Sequence, residues 1–124
     1  MVEDRSPDIV VVDDDVAVLQ SYQFMLELAG YHVSTYTSAV DYLNCGSLDE
    51  RCMILDHQMP QMTGLELAAM LRQREIRIPI MLVTSSPTAM ISSRAAELGI
   101  KKVLEKPPDE DELLAFICSS APAA

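Results

Sequence analysis

The sequence has no long apolar run, few cysteines and few basic residues. Its apolar stretches are only a few residues long, whereas a membrane-spanning helix needs about 20, and Met1–Pro7 lacks the hydrophobic centre of a signal peptide. These absences favour a cytoplasmic protein without membrane contact. The three cysteines, Cys45, Cys52 and Cys118, are an odd number without CxxC spacing, which favours reduced thiols over a disulfide framework.

The shortage of bases leaves a net charge of −10, from 19 acidic and 9 basic residues. Nucleic-acid phosphates would be repelled, so we expect no direct nucleic-acid binding by this chain. A length of 124 residues with 49% hydrophobic content is typical of one domain with a packed core. Solubility explains part of the acidity, but it does not explain acids that stand where predicted strands end.

Short apolar runs alternate along the chain with segments of helical spacing. The predicted strands are Ile9–Val12, Tyr31–Tyr36, Cys52–Leu55, Ile78–Val83 and Lys102–Leu104. The predicted helices cover 16–29, 39–43, 67–71, 89–98 and 113–117. Gly30 and Gly99 are predicted to follow helix ends, and Ser38 with Asp41 resembles an N-terminal capping box. This alternation predicts an α/β fold in which a five-stranded parallel sheet carries helices on both faces.

Polar residues follow four of the five predicted strands: Asp13–Asp15, Asp56–His57, Thr84–Ser86 and Lys106–Pro107. Ligands of open parallel sheets bind at the carboxyl ends of the strands. Carboxylates that converge there disfavour joint ionisation unless a cation lies among them, and Mg²⁺ prefers hard oxygen ligands. We therefore expect a magnesium site at Asp13, Asp14 and Asp56, whereas Asp15 suits a helix cap.

Four segments, VVVDDD, ILDHQMPQMTG, VTSS and EKPP, occur in this order at successive strand ends. Together they resemble the receiver domain of a two-component response regulator, CheY-like and nearest in style to the FixJ/NarL group, over residues 8–118. The resemblance implies a doubly wound, flavodoxin-like sheet with strand order 2-1-3-4-5. It also implies a receiver domain over residues 8–119, a flexible N-terminus at 1–7, and a flexible tail or the start of a linker at 120–124.

The resemblance assigns chemical roles to individual residues. Asp56 is the expected phosphoacceptor, Lys106 the cation that pairs with the phosphoryl group, and Thr84 the hydroxyl that senses it. Mg²⁺ is expected on Asp14 and Asp56 directly, on Asp13 partly through water, and on the backbone carbonyl of Gln58. The Lys106–Pro107 peptide bond is expected to be cis.

The same resemblance implies partners. A sensor histidine kinase is the expected phosphoryl donor, and the signal is expected to leave through the fourth helix, the fifth strand and the fifth helix towards an output domain or partner protein. A phosphorylation-dependent homodimer is left open. The chain is not expected to be an enzyme, since it would catalyse only its own phosphorylation and dephosphorylation.

Two departures from the family pattern concern the passage of the signal. Val103 stands where many receivers carry Tyr or Phe, and Pro108 stands where an aromatic is frequent. An alternative function is therefore a phosphorylation-independent interaction module with the receiver fold. A second alternative, an aspartate-nucleophile phosphatase, is disfavoured because such enzymes resemble DxDxT, whereas His57 and Gln58 follow Asp56.

Overall fold

The computed structural model describes residues 8–46 and 50–120, where five strands alternate with five helices. The strands are β1 Asp8–Val12, β2 His32–Tyr36, β3 Cys52–Asp56, β4 Ile80–Thr84 and β5 Lys102–Glu105. The helices are α1 Val16–Leu28, α2 Ala39–Cys45, α3 Gly64–Gln73, α4 Ala89–Glu97 and α5 Glu110–Ser119. The predicted flexible segments at 1–7 and 121–124 lie outside the described residues. Ser120, which we assigned to the tail, is the C-terminal cap of α5.

The strands form one parallel sheet in the order β2-β1-β3-β4-β5. This confirms the predicted fold class. Each of the inner strands β3 and β4 is buried along its whole length, whereas the edge strands β2 and β5 are partly exposed. Strand order reverses between β1 and β3, so the carboxyl ends of these two strands flank the crevice in which open sheets bind ligands.

Alternate residues of the inner strands face two separate cores. Val10, Met53 and Leu82 pack with apolar residues of α2, α3 and α4 on one face. Ile9, Ile54 and Val83 pack with α1 and α5 on the other face. A sheet that is covered on both sides needs apolar residues at both phases of each strand, which explains why these strands read as continuous apolar runs.

Side-chain caps set the starts of the helices. Ser38 accepts a hydrogen bond from the backbone N–H of Asp41 as predicted, but the Asp41 carboxylate accepts from the Thr37 hydroxyl instead of closing a capping box. The reciprocal box lies at α3, between Thr63 and Glu66. Because this box holds its first turn, α3 begins earlier than the apolar spacing predicted.

Glycines end two helices as expected. Gly30 and Gly99 have φ angles of 99° and 73°, in the left-handed region that L-residues avoid. Within residues 8–46 and 50–120, no helix is both long enough and apolar enough to cross a membrane.

Candidate functional site

The predicted site residues meet at the carboxyl edge of the sheet. Asp13 and Asp14 follow β1, while Asp56 and Thr84 are the last residues of β3 and β4. Lys106 follows β5, and its backbone N–H donates to the carbonyl of Thr84 at 2.9 Å. Because parallel pairing aligns the strand ends, residues up to 93 positions apart in the sequence become neighbours.

Three carboxylates are crowded at the centre of this edge. Asp13, Asp14 and Asp56 each offer an oxygen, and these oxygens lie within 4.8 Å of one another. Asp13 and Asp56 are only 2% exposed, whereas Asp14 is exposed. Asp15 does not join them, because its carboxylate caps α1 by accepting from the N–H groups of Ala17 and Val18. The structure thus separates the three consecutive aspartates as the sequence predicted.

Lys106 supplies the positive charge of the site. Its Nζ lies 2.8 Å from Asp56 Oδ1 and 3.4 Å from Asp13 Oδ2. Burial favours the neutral amine, but the hydrogen bond to Asp56 and the charge of Asp13 outweigh it and raise the pKa of Lys106. The ammonium group is therefore held charged between the two buried carboxylates.

One cation does not satisfy the two buried acids. Burial is the main cause that raises the pKa of Asp13 and of Asp56 above the ordinary aspartate value, and Lys106 opposes this rise. Asp56 Oδ2 is buried and has no hydrogen-bond partner among the described residues. A buried, unpartnered carboxylate oxygen beside two further carboxylates fits a hard divalent cation, which takes oxygen ligands and relieves the repulsion.

The loop after β3 lies tightly against Asp56. A Cβ atom on Gly64 would lie 2.5 Å from the carbonyl oxygen of Asp56, so only glycine allows this approach. Gly64 N–H donates to the His57 carbonyl at 3.0 Å, and His57 N–H donates to Val83. The His57 imidazole is half-buried, and burial lowers its pKa. His57 is thus a partly exposed loop residue.

Thr84 is buried with 0% exposure, and its hydroxyl accepts a hydrogen bond from the backbone N–H of Ser86 at 3.2 Å. A hydroxyl that accepts one bond still carries a proton to donate. Val103 on the neighbouring strand is half-buried and packs against the core shared with α3 and α4. The Lys106–Pro107 bond is cis, which confirms that prediction.

Two features of this region were missed by sequence reasoning. The side chain of Gln58, assigned only a backbone role, accepts hydrogen bonds from Ser85 in the loop after β4. An apolar groove of about 710 Å³ reaches Lys106 between α1 and α5. Phe24 and Leu28, which line it, are 71% and 76% exposed. Both residues fall outside the buried face of α1. Large apolar residues off that face were the sequence feature from which an exposed apolar surface could have been predicted.

This sheet order, with an acidic cluster and a lysine at its carboxyl edge, defines a CheY-like domain. The model of the response regulator receiver domain family matches residues 9–118. The chain belongs to this family, and so it is the receiver domain of a two-component response regulator.

Relatives place the chain near the FixJ group. It is 36% identical over 111 residues to the transcriptional regulatory protein FixJ of Azorhizobium caulinodans, covering 89% of this chain and 53% of that protein. It is 33% identical over 113 residues to FixJ of Bradyrhizobium diazoefficiens, covering 90% and 55%. The chain therefore spans about half the length of the curated relatives that it matches.

Solved structures agree with the fold. The crystal structure of FixJ-N superposes with a TM-score of 0.81 at 28% identity, covering 96% of this chain and 94% of that one. The response regulator StyR superposes with a TM-score of 0.86 at 32% identity, covering 94% of this chain and 59% of that one.

Proposed function

We propose that this receiver domain is a phospho-accepting switch in which Asp56 takes a phosphoryl group from a phosphohistidine of a sensor histidine kinase. The observation that carries the proposal is the state of the Asp56 carboxylate. One oxygen contacts the Lys106 ammonium group at 2.8 Å, and the other is buried beside two further carboxylates, with no hydrogen-bond partner within residues 8–46 and 50–120. These surroundings support a nucleophilic role for the acid over a purely structural ion pair.

In the proposed transfer, a carboxylate oxygen of Asp56 forms the new bond to phosphorus as the bond from phosphorus to the histidine nitrogen breaks. Lys106, already at Asp56, would bind an oxygen of the transferred group. Asp13, Asp14, Asp56 and the backbone carbonyl of Gln58 would hold Mg²⁺. The bound ion would offset the negative charge that builds up on the transferred oxygens.

The proposed output is a change in the loop after β4. A phosphoryl group adds roughly two negative charges and three acceptor oxygens. The Thr84 hydroxyl would donate to one of them, and the attached loop and α4 would follow. The surface of α4, β5 and α5 would then pass the signal to an output domain or partner protein, or to a second copy in a homodimer.

The donor is proposed to be a protein, and the receiver would catalyse only its own phosphorylation and dephosphorylation. A donor domain needs a surface beside Asp56 on which to pack, and the apolar groove that reaches Lys106 offers one. Cytoplasmic location and a lack of nucleic-acid contact by this chain are part of the same proposal, the latter supported by the net charge of −10.

The main alternative is an interaction module that keeps the fold and does not switch. Val103 favours it, because no large aromatic side chain stands there to change rotamer. An aspartate-nucleophile phosphatase is the weaker alternative, since His57 and Gln58 follow Asp56 instead of the DxDxT pattern.

Incubation with acetyl phosphate and Mg²⁺, followed by intact mass measurement, separates these functions. A switch gives one added phosphoryl group that is absent in Asp56→Asn and present in Asp111→Asn, a matched change on the exposed first turn of α5. A protein without any adduct is the interaction module. Release of many phosphates per protein indicates the phosphatase.

A further inference from the structure

Gln58 joins the loop after β3 to the loop after β4. Its side-chain Oε1 accepts from the backbone N–H of Ser85 at 3.3 Å and from the Ser85 hydroxyl at 3.4 Å. These residues are 27 positions apart, and they stand two residues after Asp56 and one residue after Thr84. The link therefore spans the two loops that flank the acceptor.

The loop after β4 makes few buried contacts that would hold it in place. Residues 85–88 are exposed, and the buried residue of α4 is Ala95, near the far end of the helix. The backbone N–H groups of Ser85 and Ser86 donate to Gln58 and to Thr84, respectively. A segment with few buried apolar contacts moves at a low cost in free energy, so the loss of even one of these hydrogen bonds changes the balance between its positions.

We propose that Gln58 is a positioning residue whose amide oxygen holds Ser85 in the unphosphorylated position and opposes the switch. This inference rests on the proposed function. The Ser85 N–H now donates to a neutral amide oxygen, and an anionic phosphoryl oxygen is the stronger acceptor. When the loop moves to the phosphoryl group, the phosphoryl oxygen would replace the Gln58 amide oxygen as the acceptor for Ser85. The loss of the Gln58 hydrogen bonds would reduce the free energy gained by this movement.

The test compares the affinity for beryllofluoride, a phosphoryl mimic, in the presence of Mg²⁺. Gln58→Met keeps the length of the side chain and removes the acceptor, while the backbone carbonyl stays in place. We expect the affinity to rise about three- to tenfold, the equivalent of one or two net hydrogen bonds. Ser85→Ala removes only the hydroxyl donor, and we expect a smaller rise.

The matched control is Gln73→Met, at the exposed C-terminal end of α3, where no change is expected. The second measurement is amide hydrogen exchange of Ser85 by NMR without Mg²⁺, which Gln58→Met should accelerate. Faster exchange together with tighter binding supports the inference.

Either of two results would overturn this inference and leave the proposed function intact. Either unchanged Ser85 exchange in Gln58→Met, or an affinity for beryllofluoride that is unchanged or weaker, refutes the role of Gln58 while the wild type still binds the mimic. A wild type that binds no beryllofluoride at any Mg²⁺ concentration overturns the proposed function instead, and the inference falls with it.

Discussion

Replacing Asp56 by asparagine should stabilise the protein in the absence of Mg²⁺. At an effective dielectric of about 20, the 2.8 Å contact attracts ionised Asp56 to Lys106 by about 6 kcal/mol. Asp13, at 4.8 Å or less, repels it by at least about 3.5 kcal/mol. Exposed Asp14 adds only about 1 kcal/mol of repulsion, because water screens it. Burial of the carboxylate costs several kcal/mol more.

Taken together, these opposing contributions mean that ionised Asp56 slightly destabilises the folded state. Asp56→Asn removes the charge and keeps an oxygen that accepts from Lys106, so we expect the free energy of unfolding to rise by about 1–2 kcal/mol at pH 7. For a domain of this size each kcal/mol corresponds to about 3–5 °C in Tm. Urea unfolding with a chelator present measures the difference.

The raised pKa of Asp56 determines how stability changes with pH. The pKa of Asp56 is raised in the folded state, mainly by burial, so the folded protein binds the proton more tightly than the unfolded chain. Wild-type stability should therefore fall as pH rises from the ordinary aspartate pKa through the raised one. The advantage of Asp56→Asn should appear over that same interval and vanish at more acidic pH.

The control is Asp111→Asn, for which a change of at most about 0.5 kcal/mol is expected because the residue is exposed. Destabilisation of the Mg²⁺-free protein by Asp56→Asn at pH 7 would refute the reasoning. It would mean that the attraction to Lys106 exceeds repulsion and burial together.

Three further predictions follow from the same geometry. Mg²⁺ should bind at millimolar or weaker affinity and stabilise the wild type by about 1.4 kcal/mol at ten times its Kd; Asp14→Asn should abolish this gain, and a wild-type Tm that is insensitive to Mg²⁺ would contradict the site. With beryllofluoride, hydrogen exchange should change in residues 87–98 while β5 stays nearly still, and Thr84→Ala should abolish the change in α4; protection confined to Asp56 and its loop would favour the non-switching module. Gly64→Ala should lower the free energy of unfolding by about 1–3 kcal/mol, because its Cβ would lie 2.5 Å from the Asp56 carbonyl oxygen. A loss below about 0.5 kcal/mol in urea unfolding would contradict this prediction and show that the loop shifts to accommodate the Cβ.

Much of the fold could be predicted because its signals are local. Apolar runs marked the strands, and Gly30 and Gly99 marked helix ends that the structure confirms. The start of α3 was placed too late, because apolar spacing does not register its capped first turn. Thr63 caps this turn, and a search for capping residues would have found it.

The sequence by itself determined which side chains stand at the carboxyl edge, since alternation of strands and helices places every strand end on one side of the sheet. Only the tertiary structure decided how those side chains meet. It brings Lys106 to 2.8 Å from Asp56 and 3.4 Å from Asp13, leaves Asp56 Oδ2 without a partner among the described residues, and bonds Gln58 to Ser85. These contacts join residues far apart in the chain. Their distances depend on strand register and loop path, which local patterns do not encode.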